Sequence, residues 1–174
     1  YTQAVRLFKN KKPVIAAVQG GAIGGGLGLS LVADFRIGCP ESRFSANFSR
    51  LGFHQGFGTT VTLPRVIGPQ NAAMMMLTGR RLKGQEAFDI GLIDYLVPLK
   101  EVRSKAIELA EEISEAGPLA VQSIRATIRA GLAEQVEEIV SWELSEQVRL
   151  QSTKDFKEGI KASLERRKPK FEGS

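Results

Sequence analysis

The sequence predicts an α/β fold over residues 1–100 and an all-helical region of the same domain over residues 101–174. Three observations carry that reading. Short apolar runs suited to buried strands, Val14–Val18 and Phe35–Gly38, flank a glycine-rich stretch at residues 20–28. From Glu101 onward the apolar residues instead recur at three- and four-residue steps, the period of a helix. A chain of 174 residues with 43% hydrophobic and 25% charged residues is long enough for one sizeable core, so one domain is expected.

In order, Tyr1 to Asn10 reads as the tail of a helix, and Pro13 forces an extended entry into the first strand. The glycines follow that strand, and Leu27, Leu29, Leu31 and Val32 suit a buried helix after them. Phe35–Gly38 and Arg43–Ala46 are the next strands. Residues 47–62 read as an irregular loop in which Gly52, Gly56 and Gly58 interrupt Phe48, Phe53, His54 and Phe57, a composition that suits a pocket wall. Asn71 to Leu77 and Gln85 to Ile90 read as short helices, with a short strand through Leu96-Val97-Pro98. Four helices close the chain, with stripes at Val102, Ala106, Leu109 and Ile113; at Val121, Ile124 and Ile128; at Val136, Val140, Leu144 and Val148; and at Phe156, Ile160 and Leu164.

Composition narrows the function classes. The formal charge of +5 is too small to argue nucleic acid, although basic residues gathered at both ends suit an anionic ligand. Cys39 is the single cysteine and His54 the single histidine, so neither an intrachain disulfide nor a cysteine/histidine metal cluster is expected. No apolar run reaches the length of a membrane span, and a reducing, cytoplasmic setting is the expectation.

The glycines at the strand-to-helix turn carry the chemistry. Gly24, Gly25 and Gly26 lack Cβ atoms, so a ligand can approach the backbone, and amides in the first turn of a helix have no intrahelical acceptor. Such a turn can hold an oxyanion or a phosphate. No Gly-Lys-Ser/Thr ends the stretch, and no acidic residue closes the next strand, which argues against a phosphate loop and a dinucleotide fingerprint.

Lys12-Pro13-Val14-Ile15-Ala16-Ala17-Val18-Gln19-Gly20, then Ala22-Ile23-Gly24-Gly25-Gly26, then Ala33-Asp34-Phe35-Arg36-Ile37 resembles the signature of the enoyl-CoA hydratase/isomerase, or crotonase, family. The resemblance continues through Leu77-Thr78-Gly79-Arg80, Glu86-Ala87, Gly91-Leu92-Ile93-Asp94 and Glu158-Gly159 to Glu165-Arg166-Arg167-Lys168-Pro169-Lys170-Phe171. It implies a crotonase-like spiral of strand-strand-helix turns, N-terminally incomplete, with terminal helices that pack on it or on a neighbouring subunit. It also implies a homotrimer or hexamer and an acyl-CoA substrate in fatty acid metabolism. Coenzyme A would enter as part of that substrate, with no prosthetic group or metal.

On the family motif the oxyanion N–H falls on Gly25, and the second donor belongs to strands that precede Lys12 in the family. Ala22, Ile23, Gly24, Phe48 and Phe53 are the implied acyl-CoA contacts. Lys168, Lys170 and Phe171 are implied for the adenine and phosphate end. The two glutamates that hydratases of the family use fall on Gly28 and Phe48, neither of which can move a proton. The resemblance therefore implies a lyase or isomerase that stabilises a thioester enolate without the usual carboxylates. Two other readings stand beside it: a hydrolase on the same scaffold with His54 as general base, and a CoA-binding or assembly subunit that has lost catalysis.

Overall fold

The computed structural model describes residues 1–174. A 3-10 turn over Thr2–Ala4 runs into α1 (Val5–Phe8), and Pro13 sets the chain extended into β1 (Ile15–Val18). β2 (Gly21–Ile23), α2 (Gly25–Ser30), β3 (Phe35–Gly38) and β4 (Arg43–Ser45) follow. After a 3-10 turn at Asn47–Leu51 come α3 (Thr59–Thr78), β5 (Arg81–Lys83), α4 (Gly84–Asp89) and β6 (Tyr95–Leu96). The helical region is α5 (Val102–Ser114), α6 (Pro118–Ile128), α7 (Leu132–Gln151) and α8 (Lys154–Leu164).

The strands form two three-stranded sheets. β1, β3 and β6 are parallel in one; in the other β2 and β4 are parallel and β5 closes the edge antiparallel. Successive units therefore place one strand in the first sheet, the next in the second, and return through a helix, which is the expected spiral. Its axis is filled by Leu27, Phe44, Leu63, Met75, Leu92 and Ile93, all 1% exposed or less. A second apolar cluster joins α1 to α7 through Val5, Phe8, Leu132, Val136 and Val140. A third seats Val102 and Leu109 of α5 on Ile37 and Cys39.

Several elements depart from the sequence expectation. β2 lies inside the glycine stretch and β5 lies in a run read as non-strand, because each is a strand only through its pairing with β4. The end of the run read as a loop and the short helix read from Asn71 to Leu77 become, with the residues between them, one element, α3, broken only at Gly68 (φ 76°, ψ 159°). A residue before proline avoids the helical region, and Gly68, lacking a Cβ, is free to take the positive φ found at this break.

The helical stripes are also rotated. In α6, Ile124 and Ile128 are exposed while Arg125 is buried; in α7, Leu144 and Val148 are exposed while Glu143 and Gln147 turn inward. In α8, Leu164 is exposed, and Gly159 and Ala162 take the buried face. The cause in α6 is Asp34, whose carboxylate accepts from Val14 N–H (2.8 Å), Arg125 Nε (2.8 Å) and Arg129 Nη1 (3.0 Å). That half-buried charge draws two guanidiniums under the helix, where each gains a hydrogen-bonded partner that an isoleucine could not use.

Asp34→Asn tests this junction. It leaves two guanidiniums uncompensated between α6 and the start of β1, so stability to chemical denaturation should fall by about 3–5 kcal/mol. An unchanged denaturation midpoint would show that solvent, and not Asp34, neutralises them.

Candidate active site

The glycine turn is fixed from the sheet outward. Parallel pairing of β2 with β4 sets Ile23 opposite Ser45, and Gly24 N–H then donates to the Ser45 carbonyl at 2.8 Å. Gly24 has φ 55° and ψ −118°, a conformation that side chains rarely adopt. Its carbonyl accepts from Gly28 N–H at 3.1 Å, which starts α2. Gly25, the next residue, has no acceptor within the chain for its N–H and is half-buried. The bonds at Gly24 and Gly28 bracket the first-turn amides of α2, and Gly25 N–H, directly after the fixed Gly24, is held at a rigid turn, the geometry an oxyanion donor needs.

The other expected residues lie in three groups. Ala22 and Phe48 are core-facing, each 4% exposed, so Ala22 can meet a ligand only through its backbone. Ile23 and Phe53 are half-buried. The Phe48 ring stands 3.5 Å from where a Cβ on Gly24 would be, and it packs edge-on to Phe53, which packs edge-on to Phe156 of α8. This aromatic series joins the glycine turn to α8.

Lys168, Lys170 and Phe171 follow α8 as an exposed tail that folds back on the same helix. Glu158 accepts from Arg167 Nη2 (2.8 Å) and Lys170 N–H (2.8 Å), and Asp155 accepts from the amides of Glu172 (2.8 Å) and Gly173 (2.9 Å). The tail is tied to α8, and both lysine side chains project freely. His54 is half-buried, with Nδ1 2.9 Å from the Gln55 carbonyl, and its own carbonyl accepts from Gln147 Nε2. These bonds hold the histidine within its own loop.

Gly28 and Phe48, where the resemblance places carboxylates, are surrounded by aromatic rings. A Cβ on Gly28 would stand 2.5 Å from Phe57 Cβ, so the glycine is needed for Phe57 to fit. Phe57 itself has φ 65°, unusual for a bulky residue. Glu143 of α7 holds the adjoining backbone in place. Its carboxylate is 1% exposed and accepts from Gly58 N–H (2.8 Å), Thr60 N–H (3.1 Å) and Thr60 Oγ1 (2.7 Å). Gly58, at the head of α3, has no side chain to cap the helix, and Glu143 serves from another helix.

Sequence reading missed two members of the site. Tyr1 lies against the turn, its Oη 2.8 Å from where a Cβ on Gly25 would be and its ring centroid 5.3 Å from that of Phe57. Glu143 read only as one charge on an amphipathic helix. Neither carried a local signal, since each meets the site from a distant part of the chain. A cavity of about 520 Å³ with mostly apolar lining lies elsewhere, between Phe35, Val66, Ile113 and Ile124. No group of three or more His, Cys, Asp or Glu side chains is placed to hold a metal ion.

Two measurements probe this geometry. Gly28→Glu alone should overpack against Phe57 and lower stability by about 1–3 kcal/mol. Gly28→Glu with Phe57→Ala should recover most of that loss, and thermal melting of the pair would show whether the clash is the cause. The tail is the subject of the second. Hydrogen bonds from Arg167 and then from Lys170 N–H lower the Glu158 pKa from the ordinary 4.5 to about 2. A depressed carboxylate stabilises above its unfolded pKa and loses that contribution as pH falls through the folded value. Protection of the amides of residues 167–173, taken relative to their intrinsic exchange rate at each pH, should therefore fall between about pH 4.5 and 2, and Glu158→Gln should lower it at neutral pH.

The comparisons with known proteins agree with this architecture. The family model for enoyl-CoA hydratase/isomerase matches residues 1–174. The crotonyl-CoA hydratase of Syntrophomonas wolfei is 37% identical over 161 residues, which are 92% of this chain and 62% of that protein. The short-chain-enoyl-CoA hydratase of Clostridium acetobutylicum is 34% identical over 163 residues, 94% of this chain and 62% of that protein. The chain thus spans 62% of the length of both relatives. Among solved structures, an enoyl-CoA hydratase/isomerase from Pseudoalteromonas atlantica T6c superposes with a TM-score of 0.89 at 27% identity, covering 97% of this chain and 68% of that one. With a match along its whole length, more than one residue in three shared with a hydratase, and the same spiral of strands and helices, the chain belongs to the enoyl-CoA hydratase/isomerase family.

Proposed function

We propose that this chain forms the enolate-stabilising part of an acyl-CoA thioester enzyme, in which Gly25 N–H is one donor to the thioester oxygen. The observation that carries the reading is the unpaired Gly25 amide at the start of α2, directly after the consumed amide of Gly24, at a turn whose backbone only glycine adopts readily. Fixed donors of this kind stabilise a developing oxyanion because they need no reorganisation during reaction, and each is worth about 2.7–4 kcal/mol of barrier. The second donor lies, on this reading, in the part of the family fold that precedes Lys12. The exposed cations Lys168 and Lys170 suit the phosphates of coenzyme A.

The reaction differs from two-carboxylate hydration. Phe48 is buried, and Phe57 fills the space beside Gly28, so water and a paired acid and base have no place in the usual positions. That apolar lining supports a thioester enzyme of a different acid-base economy more than it supports a simple enoyl-CoA hydratase.

Calorimetry and steady-state kinetics on the intact protein test the reading. An acyl-CoA should bind more tightly than the free acyl acid, and equal affinity removes the coenzyme A assignment. Hydration of crotonyl-CoA should run at least about 10²-fold below a typical kcat of about 10 s⁻¹, because each general acid or base contributes roughly 10²–10⁴-fold. A rate near 10 s⁻¹ would show that a replacement acid-base pair performs ordinary hydration. Binding with no turnover of any thioester would identify a non-catalytic CoA-binding subunit.

A further inference from the structure

The side chains that stand over the turn at Gly24, Gly25 and Gly28 are Asn47, Phe48, Tyr1 and Phe57, and nothing stands over Gly26. Of these four, an amide and two phenyl rings have no transferable proton. We infer that the phenol of Tyr1 is the proton-transfer group of the site, acting on the α-carbon of a thioester held at Gly25; this rests on the enolate reading above.

Three features of the placement support it. Tyr1 Oη lies beside the residue that carries the free amide, 2.8 Å from the point a Cβ on Gly25 would occupy. The ring is seated between two turns: a Cβ on Gly56 would overlap it, and Phe57 packs on it at 5.3 Å. Both glycines thus make room for this ring, and Glu143 fixes the Gly58 end of the second turn. The hydroxyl is also uncommitted, with no hydrogen-bond partner in the chain.

The electrostatics favour a donor at neutral pH. Burial, and secondarily the charge of Glu143, raise the Tyr1 pKa above its ordinary 10.0. Glu143 on α7 is the charged group that faces the phenol; the glycine turn and the Gly56–Gly58 turn present none. The step is a simple proton transfer. The Oη–H bond breaks as a C–H bond forms at the α-carbon, the enolate electron pair supplying that bond, and water reprotonates the tyrosinate from the exposed side of the residue. In reverse, the tyrosinate removes an α-proton and the charge collects on the oxygen at Gly25.

The test is α-proton exchange of butyryl-CoA in D2O, followed by mass spectrometry, with the intact protein. Wild type should introduce deuterium at the α-carbon at a rate that climbs through the alkaline range as the phenol ionises. Tyr1→Phe, which keeps the ring packing, should lower that rate by about 10²–10⁴-fold with butyryl-CoA affinity within about twofold. The inference is overturned if the variant exchanges at the wild-type rate, if its affinity falls in parallel, or if the exchange rate levels off in the neutral range as an imidazole base gives. Wild type that binds butyryl-CoA without exchange also overturns it while leaving the enolate reading standing. Wild type that binds no butyryl-CoA sinks the enolate reading itself, and the role of Tyr1 with it.

Discussion

A single backbone hydrogen bond, from Gly24 N–H to the Ser45 carbonyl, ties the site to the sheet. It extends the parallel pairing of β2 with β4 by one residue and stops there, because Gly24 leaves the strand conformation at φ 55°. The next amide, at Gly25, has no strand partner and no helical one. An unmet donor on a protein surface is ordinary; one that directly follows a fixed donor at the start of a helix is pre-organised, since its direction is set by bonds that a ligand does not have to break. The short distance from sheet to amide is what the spiral of strands contributes to function.

The second constraint comes from α7. Glu143 is buried without a cation, a situation tolerated only because it accepts three hydrogen bonds from Gly58 and Thr60. It caps α3 from outside that helix and thereby fixes the loop between Phe53 and Thr59. Phe57, in its left-handed conformation, is carried by that loop into the space beside Gly28. A charge on one helix therefore decides the shape of an apolar wall elsewhere, and the same charge adds to the burial that raises the Tyr1 pKa.

Phe48, Phe53, Phe57 and Phe156 give the site an aromatic lining from the glycine turn to α8. Tight backbone contacts support this lining: a Cβ on Gly52 would stand 2.6 Å from the Asp155 carbonyl oxygen, and one on Gly159 would stand 2.5 Å from Leu51. The helix that carries the basic tail is thus pressed directly onto the aromatic loop. Such a lining lowers the local dielectric, which strengthens any electrostatic interaction made beside it relative to the same interaction in water.

The sequence by itself determined the apolar strands β1, β3 and β4, the glycine turn with its free first-turn amide, the change to helical period after Glu101 and the family. Those features are local: each rests on the order of residues within a short window, where period and glycine placement act directly on the backbone. Only the tertiary structure decided the rest. β2 and β5 exist because β4 pairs with them, the stripes of α6, α7 and α8 are rotated because buried groups beneath them need polar or small partners, and Tyr1 and Glu143 join the site from opposite ends of the chain. Hydrogen bonds and ring contacts between residues far apart along the chain leave no periodic trace in sequence, because they depend on how the spiral closes and not on any neighbour along the chain.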